Sequence, residues 1–146
     1  MNKTIDKENF LYLYADTVNW GAIDIYKHMN NKEYFKYYEI VRVELMEKLG
    51  LKVDPTETDS GFTMADISSK FIKPLFYKED IKIGVKVGEI LNEYSILLEY
   101  IVVKSDETLC SLGESKLVFI NFRTGAKIPI PDDIKFRLNK IFASDN

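Results

Sequence analysis

One short segment of the sequence collects the residue types that acyl-transfer and acid–base chemistry uses. It reads WGAIDIYKHMNN over residues 20–31 and contains an isolated aspartate, Asp24, and the only histidine of the chain, His28. An apolar pattern with helical spacing begins directly after its two asparagines. A carboxylate just ahead of a helix can be a simple turn former, or it can act as a nucleophile or general base. The residue types alone leave both interpretations open.

Length, charge and composition limit what kind of protein carries this segment. At 146 residues, with 46% hydrophobic and 29% charged residues, the chain suits one globular domain, residues 1–146. A net charge of -3 argues against nucleic-acid binding, which needs a basic face. The apolar runs are far shorter than the ~20 residues that span a bilayer, and the first ten residues lack the apolar stretch of a signal peptide. We therefore expect a cytoplasmic domain with no membrane or nucleic-acid partner.

The single cysteine and single histidine restrict the metal and redox chemistry that the chain can carry. Cys110 has no second cysteine with which to form an intramolecular disulfide. It lies in the alternating run TLCSL, which is typical of a strand with a small buried side chain. Structural zinc sites need several Cys or His ligands at defined spacings. We therefore expect no metal site and assign no chemistry to Cys110.

The segment is followed by a long predicted helix. Apolar residues recur at steps of three or four and form a stripe that should face the core: Tyr34, Tyr38, Val41, Leu45 and Leu49. Asn30 with Glu33 three residues later forms the pattern of a capping box, in which each side chain bonds an otherwise unpaired amide. Gly50 marks the end of the helix. A helix of about 19 residues would be ~28 Å long, so it must be the central element of a small domain.

The rest of the chain reads as strands. A first strand is predicted at residues 10–14, and four alternating β-branched or aromatic segments cover 62–71, 81–87, 94–103 and 109–120. The breaks between the last four are too short for crossover helices, so these strands should be antiparallel. Residues 131–142 open with Pro-Asp-Asp and predict a short terminal helix. The expected class is α+β, with the sheet packed on the long helix.

The pattern closely resembles the signature of the 4-hydroxybenzoyl-CoA thioesterase family of hotdog-fold proteins. The similarity rests on WGAIDIYKHMNN, on the Tyr34-Phe35 and Tyr38-Glu39 pairs that follow, and more weakly on FIKPLFY at 71–77 and LVFI at 117–120. The resemblance implies a hotdog fold, in which a curved antiparallel sheet wraps around one long central helix. It also implies hydrolysis of an acyl-CoA thioester to a free acid and CoA.

The resemblance assigns roles to three residues of the segment. It places the catalytic carboxylate at Asp24, as nucleophile or general base, and the oxyanion-binding donor at the backbone amide of Asn31. A helix N-terminus suits that second role because its free N–H groups and partial positive charge stabilise an oxyanion. His28 matches a family position that is not generally assigned as the catalytic base, so we expect it to orient the loop by hydrogen bonds. Asn30 is then the helix cap.

Binding partners follow from the same resemblance. Coenzyme A enters as part of the substrate, so no separate cofactor is expected, and acyl carrier protein is an alternative acyl donor. Lys70, Lys73 and Arg123 are candidate ligands of the CoA phosphates, although strand lysines also protect sheet edges. The resemblance implies a homodimer whose sheets join, or a tetramer made from two such dimers.

Two departures from the family pattern leave alternatives open. Ala22 stands where the family commonly has an acidic residue, and Lys27 where it commonly has glycine. Lysine adopts positive φ reluctantly, so the loop is strained or takes another path, or the ammonium meets a CoA phosphate or Asp24. Two other functions fit the same fold. One is hydration or dehydration of an acyl thioester by Asp24 and His28 acting as a pair, and the other is non-catalytic binding of acyl-CoA or acyl carrier protein.

Overall fold

Five strands form one antiparallel sheet in the computed structural model, which describes residues 6–142. The order across the sheet is β1-β3-β4-β5-β2. The elements, in chain order, are β1 Leu11–Thr17, α1 Asn31–Lys48, β2 Ser60–Phe71, β3 Asp80–Ile90, β4 Ser95–Lys104, β5 Leu109–Asn121 and α2 Asp132–Phe142. Short 3-10 turns at Lys7–Asn9 and Trp20–Ala22 flank β1. Each predicted strand and helix is therefore present, with bounds that differ by one to three residues at most ends.

Helix α1 lies against the inner face of the sheet and supplies much of the core. All five residues of the predicted stripe are buried: Tyr34, Tyr38, Val41, Leu45 and Leu49. Facing them from the sheet are aliphatic side chains such as Ile83, Leu98 and Val102. The helix ends where the sequence indicates, because Gly50 adopts a φ of +77°, which a residue without Cβ accepts at little cost. Within residues 6–142, no helix is long and apolar enough to cross a membrane.

Strand β2 is an edge of the sheet and is therefore unpaired on one side. Its inner side chains contact α1, as Ser69 does with Tyr38 and Phe71 does with Tyr34. It pairs along its whole length with β5, from Ser60 opposite Asn121 to Phe71 opposite Ser111. Its other edge has no strand partner in the described sheet. Side chains on the inner face of β2 therefore line an open boundary with α1. The sheet that wraps the long helix is the arrangement that the sequence predicts.

A close contact fixes the distance between α1 and the sheet. The Tyr38 ring lies over Gly113 of β5, where an added Cβ would stand 2.5 Å from Tyr38 Cε2. The hydroxyl of Tyr38 shares hydrogen bonds with Ser69 Oγ at 2.8 Å and Ser111 Oγ at 2.7 Å. The ring also stacks on Tyr100, with centroids 4.7 Å apart. Glycine is thus required at 113, because the Tyr38 ring lies against this residue and is fixed by its contacts with Ser69, Ser111 and Tyr100.

Substitution of Gly113 by alanine is expected to lower the free energy of unfolding by about 1–3 kcal/mol, because the held ring must move. Urea unfolding followed by far-UV circular dichroism measures the change. Gly88→Ala is the matched control, since its added Cβ would meet only the flexible end of Glu99, at 3.1 Å. That control should change stability by less than about 0.5 kcal/mol. Equal effects of the two substitutions would contradict the close-packing argument.

Candidate active site

The Asp24 segment forms a small hairpin directly ahead of α1. Ile23 and Met29 make an isolated antiparallel bridge. Inside it, the Asp24 N–H donates to the His28 carbonyl at 2.9 Å, and the Lys27 N–H donates to the Asp24 carbonyl at 3.0 Å. These backbone bonds place Asp24 at the first position of a tight turn whose two ends lie side by side.

Two further backbone bonds attach this hairpin to the rest of the fold. The Asn30 N–H donates to the Ala22 carbonyl at 2.8 Å, which ties the start of the hairpin to the N-cap residue of α1. The Met29 N–H donates to the Leu75 carbonyl at 2.7 Å, and Met29, Ala22 and Leu75 are buried. The hairpin is thus anchored both to the helix N-terminus and to the loop that follows β2.

The carboxylate of Asp24 is half-buried and only partly used by the loop. Its Oδ1 accepts the Tyr26 N–H at 2.9 Å, closing an Asx turn. Among residues 6–142 no ion pair involves Asp24, and no hydrogen bond to its Oδ2 is formed. One carboxylate oxygen thus orients the side chain while the other remains open to a reacting group.

The first turn of α1 presents a free amide beside this hairpin. Asn30 Oδ1 accepts the Lys32 N–H at 3.1 Å, and the Asn30 carbonyl accepts the Glu33 N–H at 2.9 Å. The Asn31 N–H donates to no group in the described part of the chain. An unpaired N–H in the first turn, with the helix dipole behind it, is suited to bind an anionic oxygen.

The capping box predicted for Asn30 and Glu33 is wrong in its second half. Asn30 does cap the helix, but its own N–H donates to Ala22, so the Glu33 side chain has no amide to bond there. The hairpin has taken the donor that a capping box would use. The sequence pattern correctly predicted Asn30 as the cap. It did not predict that the Ala22 carbonyl would accept the Asn30 N–H.

Lys27 adopts the left-handed conformation that the family pattern assigns to glycine. Its φ is 69°, and its ammonium forms no ion pair within residues 6–142. The hairpin therefore keeps a backbone that favours glycine, at the cost of backbone strain of about 1 kcal/mol. The alternative of an ion pair between Lys27 and Asp24 is wrong.

Replacing Lys27 with glycine is expected to raise the free energy of unfolding by about 0.5–1 kcal/mol, because it relieves this strain. Lys36→Gly in the interior of α1 is the control, and it should lower stability by about 1 kcal/mol through loss of helix propensity. Thermal unfolding of both variants beside the wild-type protein shows whether each substitution raises or lowers the stability. A loss of stability in Lys27→Gly matching that of Lys36→Gly would contradict the strain.

His28 contacts the loop after β2 through its ring. The imidazole is exposed and lies edge-on to Phe76, with centroids 5.3 Å apart. No side-chain hydrogen bond of His28 is formed within residues 6–142. The bond that orients Asp24 comes instead from the His28 backbone carbonyl. Any residue type supplies that carbonyl, so the contribution particular to histidine is its contact with Phe76.

Exposed apolar side chains surround the hairpin. Trp20, Ile25 and Tyr26 are 68%, 85% and 77% exposed, and Trp20 packs edge-on against Tyr77 at 5.4 Å. Phe71, at the end of β2, is also exposed and packs against Tyr34 of α1 at 5.0 Å. Solvent-facing aromatic rings beside a carboxylate and a free helix amide give the site an apolar wall.

The candidate phosphate ligands lie in different places. Lys70 is exposed near the end of β2, and Lys73 follows it in the loop whose Leu75 carbonyl anchors the hairpin. Arg123 lies at the opposite end of β2 and pairs with Asp59 at 3.0 Å. Within one protomer the fold therefore brings Lys70 and Lys73, but not Arg123, to the same end of the sheet as Asp24.

Sequence reasoning missed Arg42 of α1. It is half-buried, and its Nη1 donates to Tyr100 Oη at 3.2 Å. A partial signal was present, because Arg42 lies four residues after Tyr38 and so falls on the same side of the helix as that stripe residue. A cation on the core-facing side of a helix needs a polar partner, which here is the Tyr100 hydroxyl.

Metal and thiol chemistry find no support in the described structure. Within residues 6–142 no cluster of three or more His, Cys, Asp or Glu side chains is arranged to hold a metal ion. Cys110 is buried, as predicted, and burial raises the pKa of its thiol to about 11. A thiol of that kind is almost wholly protonated at neutral pH and is a poor nucleophile.

The fold and the hairpin at the helix N-terminus define a hotdog-fold, thioesterase-like domain. A family model described as the thioesterase-like superfamily matches residues 18–138, which is most of the chain. The chain belongs to the thioesterase-like superfamily. This confirms the resemblance and the hotdog fold that the sequence predicts.

Similar proteins extend this comparison. The uncharacterized protein YsmA of Bacillus subtilis is 23% identical over 129 residues, covering 88% of this chain and 86% of that protein. The hypothetical protein SAV2348 of Staphylococcus aureus, solved in complex with CoA, superposes with a TM-score of 0.84 at 16% identity, over 100% of this chain and 90% of that one. A gentisyl-coenzyme A thioesterase superposes with a TM-score of 0.74 at 23% identity, over 86% and 98%. At these identities the structures establish the shared fold.

Proposed function

We propose that the protein hydrolyses an acyl-CoA thioester to a free acid and CoA. The observation that carries the proposal is the hairpin that contains Asp24 and is hydrogen-bonded to the N-cap residue of α1, next to the unpaired Asn31 N–H. Membership of the thioesterase-like superfamily supports the same reaction class. A carboxylate and an oxyanion donor at one helix end are the two groups that thioester hydrolysis needs most.

The proposed reaction uses the two groups at different atoms of the substrate. The thioester carbonyl oxygen points at the Asn31 N–H, which stabilises the negative charge that develops there. Asp24 either attacks the carbonyl carbon itself or takes a proton from the water that attacks it. The C–S bond then breaks, and CoA leaves as the thiol after gaining a proton. Attack by Asp24 gives an acyl-enzyme anhydride that water hydrolyses to the acid in a second step.

Coenzyme A is proposed to enter as part of the substrate, with no separate cofactor. Lys70 and Lys73 suit its phosphates because they are exposed at the end of β2 nearest the hairpin. The CoA complex of SAV2348 supports a CoA-containing ligand on this fold. An acyl group carried by acyl carrier protein presents the same thioester and the same pantetheine arm.

A homodimer joined along β2 is the proposed assembly, and a tetramer made from two dimers is its extension. The free edge of β2 offers unpaired N–H and C=O groups, and a second copy would satisfy them. Exposed apolar residues at Met64, Phe71 and Ile72 lie on or beside the same edge. Burial in such a dimer would also cover the apolar surroundings of the hairpin. Cytoplasmic location is part of the proposal, since CoA thioesters are the substrate class.

The experiment that tests this function is free-thiol release from a panel of short, long and aromatic acyl-CoAs by the purified protein. Release of one equivalent of CoA per acid formed, confirmed by mass spectrometry, is the expected result. Saturable CoA binding without turnover on CoA or carrier-protein thioesters would favour a binding protein instead. A change in enoyl absorbance without thiol release would favour hydration or dehydration.

A further inference from the structure

The boundary between α1 and the edge strand leads away from the proposed reaction centre. We call it the α1–β2 seam and define it by Phe35, Tyr38 and Arg42 on the helix and by Ile67, Ser69 and Phe71 on the inner face of β2. At its first end, Phe35 packs against Phe71 with centroids 6.4 Å apart, beside the first turn of α1. Within the described sheet of one protomer, β2 has no strand neighbour on one side, and in the proposed dimer the second copy covers that side. An acyl chain that runs from the Asn31 amide along α1 would lie beside this seam.

Hydroxyl groups line the inner wall of this seam. Tyr38 Oη lies 2.8 Å from Ser69 Oγ and 2.7 Å from Ser111 Oγ. One step further along the helix, Tyr100 Oη lies 2.6 Å from Ser115 Oγ, and Ser115 is the partner of Ile67 across the strands. Four of these five residues are otherwise enclosed by an apolar core. The helix–sheet interface therefore carries a row of hydroxyl groups along the seam.

Arg42 ends this polar row. Its Nη1 donates to Tyr100 Oη at 3.2 Å, and no other hydrogen bond of its guanidinium is made within residues 6–142. The ion pairs of the described chain do not include it, whereas Lys52, Lys82, Lys86 and Lys104 each have a carboxylate within 4 Å. A guanidinium carries five N–H donors in a planar fork that fits a carboxylate with two bonds. Arg42 is half-buried, and its remaining N–H donors can bind an anionic ligand.

We propose that Arg42 binds a carboxylate at the far end of the acyl group, so that the preferred substrate is an ω-carboxyacyl thioester. The inference rests on the proposed function, because it deepens the specificity of that same site. The seam gives the length: Tyr38, whose ring stacks on Tyr100, lies two turns beyond Asn31, about 10 Å at ~1.5 Å per residue. Helical side chains lean toward the N-terminus, which brings the guanidinium back to that level.

The test uses pairs of acyl-CoAs that share chain length and differ only in the terminal carboxylate. Adipoyl-CoA is compared with hexanoyl-CoA and suberoyl-CoA with octanoyl-CoA, and the ratio of kcat/KM within each pair is the readout. The wild-type protein is expected to prefer the carboxylated member by about 10- to 100-fold, the range of a hydrogen-bonded charge pair. Arg42→Met should abolish that preference, so that the two members of each pair have equal kcat/KM. Arg42→Lys should keep part of it.

Lys48→Met, at the other end of α1, is the matched control and should keep the full preference. Equal ratios in wild type, or a preference that survives in Arg42→Met, would overturn the proposal. The same pairs made as non-hydrolysable thioethers separate this inference from the proposed function. If no thioester is hydrolysed, an Arg42-dependent difference in thioether Kd still supports the carboxylate site. Equal Kd values within each thioether pair would overturn it.

Discussion

Asp24→Asn is expected to slow thiol release by about 100- to 10,000-fold, the contribution of a positioned general base or nucleophile. The amide keeps the size of the carboxylate and the oxygen that accepts the Tyr26 N–H, so the Asx turn should survive. What the substitution removes is the negative charge and the basic oxygen. Steady-state kcat on the best acyl-CoA of the panel, with circular dichroism to check the fold, measures the effect.

A turn former elsewhere provides the matched control for Asp24. Asp106 closes the same kind of turn between β4 and β5, where its Oδ1 accepts the Thr108 N–H at 3.0 Å. Asp106→Asn should therefore leave kcat unchanged. If both asparagine variants keep wild-type kcat, Asp24 is a turn former and the reaction uses another group.

Asn31→Pro is expected to lower kcat by about 100- to 1,000-fold, as loss of an oxyanion donor does. Proline removes the backbone N–H, together with the asparagine carboxamide, at a position where a helix tolerates it, since the first helical residue donates no intrahelical bond. Asn30, the preceding residue, has φ -61° and ψ 139°, which are the angles that a residue before proline prefers. The helix should therefore form normally, and unfolding by urea checks that it does.

Asn31→Ala separates the amide from the side chain in that experiment. It keeps the N–H and removes the carboxamide, so it should hydrolyse the substrate at nearly the wild-type rate. Full activity in a folded Asn31→Pro variant would show that the oxyanion is bound by another donor. Loss of activity in Asn31→Ala as large as in Asn31→Pro would point to the side chain instead.

Local pattern was sufficient to predict the helices, the strands and the loop segment that carries Asp24, but not the hairpin that this segment forms. The stripe from Tyr34 to Leu49 repeats at helical spacing over five residues, and Gly50 supplies the left-handed end. Alternation marked each strand because one face of the sheet is buried against α1. The order β1-β3-β4-β5-β2 was not predicted, since alternation says nothing about which strands are neighbours.

Features that depend on long-range contacts were out of reach. The capping box is incomplete because the Asn30 N–H donates to the Ala22 carbonyl, a bond that exists only in the folded hairpin. The distance of Arg123 from the hairpin depends on the pairing of β2 with β5. The contact of Arg42 with the Tyr100 hydroxyl could not be predicted, because it depends on the strand register that places Tyr100 and Ser115 beside the helix. The Asn30 contact needs the folded hairpin, and the other two depend on residues far apart in the sequence.

The central claim is that a carboxylate held at a helix N-terminus carries out thioester hydrolysis. The most direct measurement is the rate of thiol release at saturating acyl-CoA by wild type, Asp24→Asn and Asp106→Asn, at equal concentrations of folded protein. We predict that wild type and Asp106→Asn turn over together while Asp24→Asn falls by about 100-fold or more. Equal thiol release by all three proteins would contradict the claim.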